Sequence, residues 1–229
     1  MNKTLQNRIV LLLAGLLVFP FFLQAQHTVN VNDLTEETQR SSDQDDRLNL
    51  VWWIPTEFWM AIQENDAEAN PEDYAAIIDM FEPYTILMVV DGDIGPFGSV
   101  KYRSRDQVAS SLTIKDRYGD MYRPMEQAAQ SGDLTMMLSI MKPILENMLG
   151  PMGENMEFYV FEGQNNRNEP LIQPKESEFF SIQLQDEEFR WRLPLGSLLP
   201  PKFCPEDGEK QSGAWSFCPY HGDKLKSSN

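Results

Sequence analysis

The pattern of apolar and polar positions divides the chain into a polar start, a long region where strand and helix periods alternate, and a short tail. Leu50-Val51-Trp52-Trp53-Ile54 is an unbroken apolar run closed by Pro55, of a length that suits a strand. Thr56 can cap a following helix that carries Phe58, Trp59 and Ile62. Asn70-Pro71-Glu72-Asp73 predicts a second helix start, with a capping Asn, Pro in the first helical position and acids at the positive end of the dipole. Pro83 stops that helix. Tyr84 to Val90 then reads as a buried strand leading into the turn-rich 91–98 segment, with Val100 to Arg103 as the return strand.

Ser104 and Gln107 offer a capping box for a short helix, and 112–115 with 121–123 flank a turn to make a hairpin. After Asp133 the positions Leu134, Met137, Leu138, Met141, Ile144, Leu145, Met148 and Leu149 recur at spacings of three and four, which predicts the longest helix. Pro143 would kink it, and Gly150-Pro151 would end it. Met156 to Phe161 reads as a strand. In the last hairpin Phe180, Ile182 and Leu184 alternate with polar residues, as do Phe189, Trp191 and Leu193, so that one face packs and the other meets water. Helices interleaved with antiparallel hairpins predict an α+β core domain over residues 48–200.

The start of the chain changes the picture of where the protein works. Lys3 and Arg8 precede an apolar run of 15 residues, Ile9 to Leu23, and Ala25 supplies the small residue needed before a cleavage site. The run is shorter than the ~20 residues of a membrane-spanning helix. Residues 1–25 are therefore read as a signal peptide, and the mature protein as exported, periplasmic or secreted, with no membrane anchor after cleavage. Residues 26–47 are rich in acids without a sustained apolar period and read as a flexible acidic leader. The formal net charge is −16, falling to −18 once residues 1–25 are removed. Such a field opposes phosphate backbones, so nucleic acid is not expected as a partner.

The candidate chemistry lies in the tail, residues 201–229, which holds both cysteines. Cys204-Pro205-Glu206-Asp207-Gly208 is echoed by Cys218-Pro219-Tyr220-His221-Gly222. In each, the sulfur and the side chain three positions on can turn toward one ion, with Gly allowing a positive φ. The segment resembles a zinc ribbon, with Asp207 and His221 standing where the second cysteine of each knuckle usually lies. The resemblance implies a four-ligand site of Cys204, Asp207, Cys218 and His221, with zinc as the cofactor, in a structural or partner-binding module. Trp215, Phe203 and Phe217 would supply a miniature core. A disulfide between Cys204 and Cys218 is the rival staple: it suits an oxidising compartment and closes a loop of 15 residues, worth about 3 kcal/mol in the chain-entropy account.

Other chemistry is sparse. Beyond residue 25 only His27 and His221 remain, so the region 48–200 has no histidine for a Ser-His-acid or Cys-His arrangement. Asp91-Gly92-Asp93 opens like a calcium loop but lacks the rest of the twelve-residue pattern, and reads as a hairpin loop with solvated acids. The methionines between Met121 and Met156 are of a type that binds copper(I), yet their helical spacing reads as core filling. The expectation is a non-enzymatic exported protein acting structurally or on an unknown protein partner. A periplasmic zinc- or copper-handling protein is the alternative, and a carboxylate-dependent hydrolase the third reading.

Overall fold

The computed structural model describes residues 27–66, 68 and 70–227. The segment 1–25, read as a signal peptide, lies outside them, as does Gln26. Among the described residues no helix is long and apolar enough to cross a membrane. The chain is an α+β mixture of helices and antiparallel sheets.

The first sheet explains why its strands read as apolar runs rather than alternations. It contains β1 (Gln39–Ser41), β2 (Leu50–Ile54), β3 (Tyr84–Val90) and β8 (Glu157–Glu162) in the order β1-β2-β3-β8, all antiparallel. Trp52 and Trp53 are successive residues and so point to opposite faces. Trp52 meets Phe58 of α2 (Thr56–Asn65) edge to face at 5.2 Å, while Trp53 meets Phe180 edge to face at 5.0 Å. Every residue of β2 is buried for that reason. Helices cover one face and a second sheet covers the other.

The second sheet has the order β10-β9-β6-β7, with β6 (Thr113–Lys115), β7 (Met121–Tyr122), β9 (Phe179–Leu184) and β10 (Glu187–Arg192). In β10 the alternation is clean: Phe189 and Trp191 are buried, Glu188, Arg190 and Arg192 exposed. Phe180 stacks on Trp191 at 5.0 Å, so the aromatic series runs through both sheets. On the helical side Phe58 meets Trp59, and Trp59 stacks on Phe81, the last residue of α3 (Pro71–Phe81). Such pairs contribute about 0.5–1.5 kcal/mol each beyond the area they bury.

Local starts and stops follow their expected chemistry with two changes. Asn70 accepts from the Glu72 N–H at the start of α3, and Ser104 and Gln107 form a reciprocal capping box for α4 (Arg105–Ser111). Thr56, expected as a cap, is instead the first helical residue of α2, behind Pro55. The longest helix, α5 (Gly132–Leu149), starts one residue before Asp133, and Ser131 Oγ accepts from the Leu134 N–H at 3.2 Å. Met137 and Met141 of that helix, with Met152 beyond it, pack against the core. The side chain of Met148 lies outside the described residues.

The 91–103 region departs from its expected character. Gly92–Ile94 (β4) pairs with Val100–Tyr102 (β5) as a separate two-stranded ribbon. Asp91 is not solvated: its side chain is fully buried, accepting from Arg103 Nη1 at 2.5 Å and from Gln185 Nε2 at 3.2 Å. Arg103 Nη2 also donates to both oxygens of Asp93, at 3.0 and 2.9 Å. The guanidinium thus takes the two carboxylates that would have begun a calcium loop.

The flexible acidic leader over 26–47 is overturned for its described part. Val31–Thr38 forms a helix, α1, capped by Asn30, whose side chain accepts from the N–H groups of Asn32 and Asp33. Leu34 is fully buried in the main core, and Thr38 Oγ1 accepts from the Trp52 indole at 3.1 Å. One leucine on an eight-residue helix is too faint a period to read in sequence, yet it fills a hole that α2 and β2 leave. Leu34→Ala is therefore expected to cost about 2–5 kcal/mol, read as a lowered midpoint in urea unfolding. An unchanged midpoint would return the segment to the periphery.

Candidate metal centre

The tail builds its own small sheet. Strand β11 (Lys202–Phe203) is central, pairing antiparallel with β12 (Lys210–Gln211) on one side and β13 (Lys226–Ser227) on the other. The first Cys-Pro turn closes the β11–β12 hairpin. The second lies within the bridge between Phe217 and Lys224. Pairing of both flanks with β11 is what brings two knuckles, fourteen positions apart in the repeat, to the same end of the sheet.

The two turns share one bonding pattern. The Gly208 N–H donates to the Cys204 carbonyl and the Gly222 N–H to the Cys218 carbonyl, both at 2.9 Å. The Cys204 N–H donates to Glu209 at 3.0 Å, and the Cys218 N–H to Asp223 at 2.8 Å. Gly208 and Gly222 take φ values of 76° and 75°, a region open to glycine at little cost. The repeated sequence therefore specifies a repeated backbone.

Three of the four expected ligands converge. One ligand atom from each of Cys204, Cys218 and His221 lies within 4.8 Å of the others. His221 Nδ1 is 3.4 Å from Cys204 Sγ and 3.6 Å from Cys218 Sγ. Asp207 joins through His221, its Oδ2 lying 3.6 Å from the same Nδ1, while its Oδ1 accepts from the Glu209 N–H at 2.9 Å. Both thiols are free and buried, whereas the imidazole and carboxylate side chains are 38% and 40% exposed. The cluster thus has a dry sulfur side and a wet side that carries the nitrogen and oxygen donors.

The electrostatics separate the two thiols. Burial pushes the Cys204 thiol up, against the opposing pull of the Glu206 and Asp207 N–H groups. Burial also opposes the Cys218 thiolate, but the His221 and Tyr220 N–H groups, with the Cys204 and His221 side chains, outweigh it and bring its pKa down. His221 is raised chiefly by its contact with Cys218, with Asp207 adding to the effect. Asp207 is lowered, first by the Glu209 N–H and then by its cysteine and histidine neighbours. Cys218 is the sulfur prepared to ionise.

The miniature core is not the one expected from aromatic content. Trp215 and Phe217 are 46% and 60% exposed, and Phe203 is half-buried. Leu225 takes their place, buried together with the two cysteines in a cluster separate from the main core. A lone leucine near the end of a polar stretch carries no periodic signal. Close approach fixes the ribbon to the domain: a Cβ on Gly213 would lie 2.6 Å from Leu199 Cβ, and one on Gly196 would lie 2.0 Å from Ser212 Oγ.

Elsewhere, a cavity of ≈ 830 Å³ is lined by Trp53, Met60, Tyr84 and Ile172 with the acids Glu57, Glu82 and Glu162. Glu57 is paired with Lys175 at 3.5 Å, and among the described residues no hydrogen bond joins two of these carboxylates. His27 Nε2 donates to the Ser197 carbonyl at 2.9 Å. Comparison with known protein families, with curated proteins and with solved structures finds no match to this chain.

Proposed function

We propose that Cys204, Cys218 and His221, completed by Asp207, bind a zinc ion that staples the C-terminal ribbon of an exported, non-enzymatic protein. The observation that carries this reading is the spacing around His221 Nδ1. Tetrahedral zinc with Zn–S of about 2.3 Å and Zn–N of about 2.0 Å sets sulfur and nitrogen about 3.5 Å apart. The two sulfurs lie at 3.4 and 3.6 Å, and the Asp207 oxygen at 3.6 Å is close to the corresponding nitrogen–oxygen edge. Two thiolates with one imidazole and one carboxylate suit zinc better than a hard cation. A ribbon of this size, whose buried cluster is one leucine and two cysteines, has little else to hold it.

Export rests on the residue 1–25 pattern, and the acidic chain disfavours nucleic acid as the partner. The resemblance of the tail to a zinc ribbon supports a structural or partner-binding role. The proximity of the two free thiols favours one rival, a Cys204–Cys218 disulfide.

Elemental analysis of protein purified from its export compartment is expected to give one zinc per chain and both thiols free after unfolding in chelator. Intact mass there is expected to fit a chain beginning at Gln26; an uncleaved chain in the membrane fraction would overturn the export reading. His221→Ala should weaken zinc by at least the ~10–100-fold typical of groups that merely orient a ligand, and Asp207→Ala should lower metal content as well. Protein with no metal, no free thiol and unchanged tail protection in both variants would assign the staple to the disulfide.

Acidification gives a second test with opposite signs in the two forms. Bound zinc requires deprotonated thiolates and a neutral imidazole, so affinity should fall from about pH 7 to about pH 5, and the tail should loosen with it. In chelator, the raised pKa of His221 means that its contribution is present below the unfolded-state pKa and lost as pH rises through the folded one. After correction for the intrinsic pH dependence of exchange, protection over residues 202–227 is expected to rise from about pH 5 to about pH 7 in zinc and to fall over the same range without it. The same trend in both would show that no ion competes with protons there.

A further inference from the structure

Beside the ribbon, and distinct from the metal cluster, an open groove of ≈ 510 Å³ lies between the last core hairpin and the tail. That volume is in the range of small-molecule sites, about 300–1,000 Å³. Arg40 and Arg192 line it on the domain side, and Trp215 and Phe217 line it on the ribbon side. We propose that this groove binds a small organic anion, a carboxylate carried on an apolar, planar body. The proposal does not rest on the zinc reading.

Charge pairing is the first argument. The chain has 35 Asp and Glu against 19 Lys and Arg, so most of its arginines find an acidic partner. Arg47, Arg103, Arg105, Arg117, Arg167 and Arg190 are each ion-paired. Among the described residues, Arg40, Arg123 and Arg192 have no carboxylate in ion-pair reach; Arg123 Nη1 donates to the Ser110 carbonyl at 3.1 Å, whereas the Arg192 side chain makes no hydrogen bond at all. The single acid lining the groove, Glu37, is already engaged: its oxygens accept from the Gly196 N–H at 3.0 Å, the Ser197 N–H at 2.9 Å and Ser197 Oγ at 2.6 Å.

Preorganisation is the second. Arg40 is fixed in place without being neutralised. Its Nε donates to the Arg190 carbonyl at 3.3 Å and its Nη1 to the carbonyls of Glu37 and Gln39 at 3.1 and 2.6 Å, with the guanidinium 5.1 Å over the Trp191 ring. Burial lowers its pKa, with the charge of Glu37 working the other way, so an incoming carboxylate would compensate a cation that the fold has partly desolvated. Arg192 stands directly across β9–β10 from Phe179, which is 65% exposed. Arg192 shares the groove lining with Trp215 and Phe217. Rings offer apolar area and guanidinium groups offer bidentate donors, which together select an amphipathic anion over a bare one.

The test uses the full mature chain with 2-naphthoate and its uncharged counterpart 2-naphthamide, followed by calorimetry and by the Trp215 indole resonance. Naphthoate is expected to bind and to perturb that resonance, and the amide to bind about tenfold more weakly or not at all, the value of one charge-assisted contact. Arg192→Gln and Trp215→Ala should each weaken naphthoate about five- to tenfold. Arg123→Gln, which removes an exposed cation outside the groove lining, should leave it unchanged. Titrations are run on zinc-loaded and chelated protein, and binding to either form supports the site. Failure to bind either form, equal affinity for acid and amide, or an unaltered affinity in Arg192→Gln would overturn it. None of these results bears on metal content, which elemental analysis decides separately.

Discussion

The fold depends on two adjacent tryptophans that cannot share a face. Because side chains alternate along a strand, Trp52 and Trp53 must be buried on opposite sides of β2, so both faces of the first sheet have to be covered. That constraint calls for helices on one side and a second sheet on the other. It also explains the neighbouring strands: β3 is buried from Thr85 to Val90 and β8 from Phe158 to Phe161. A sheet with one wet face would have needed alternation there and has none.

The same constraint carries out to the surface. Trp53 packs on Phe180, Phe180 stacks on Trp191, and Arg40 lies over Trp191, so a continuous series of ring contacts joins the central strand to the groove beside the tail. Arg40 comes from β1, the edge strand paired with β2 in the register Arg40 opposite Val51. The helix before it, α1, contributes Glu37 to the N–H groups of Gly196 and Ser197, where the chain leaves the core for the ribbon. The acidic N-terminal segment is therefore the clamp between core and tail. Its acids were misleading as a sign of disorder because the one that matters structurally is held by backbone donors, and composition does not distinguish such a carboxylate from a solvated one.

What could be read from sequence was whatever repeats or punctuates. The capping residues Asn70 and Ser104, the alternation in β9 and β10, and the Cys-Pro-x-x-Gly duplication each placed its element, since each is a local pattern with a local cause. What stayed hidden depends on distant partners. Leu34 and Leu225 are single apolar residues in polar surroundings, and only tertiary packing reveals that each completes a buried cluster. Asp91 looked like part of a solvated turn until Arg103, twelve residues on, was seen to fill the space between two carboxylates. The exposed Trp215 and Phe217 inverted the usual expectation that aromatics in a small unit form its core.

That inversion links the two halves of the tail. A ribbon whose largest side chains point outward gains little from the hydrophobic effect, so its shape has to come from cross-linking and from backbone fit. The knuckles bring two thiols and an imidazole into reach of one another, and the close approaches at Gly196 and Gly213 supply the backbone fit. Trp215 and Phe217 lie between the knuckles in sequence and one side of the groove in space. The loop between the knuckles carries both rings, so the backbone that brings Cys204, Cys218 and His221 together also sets one wall of the groove.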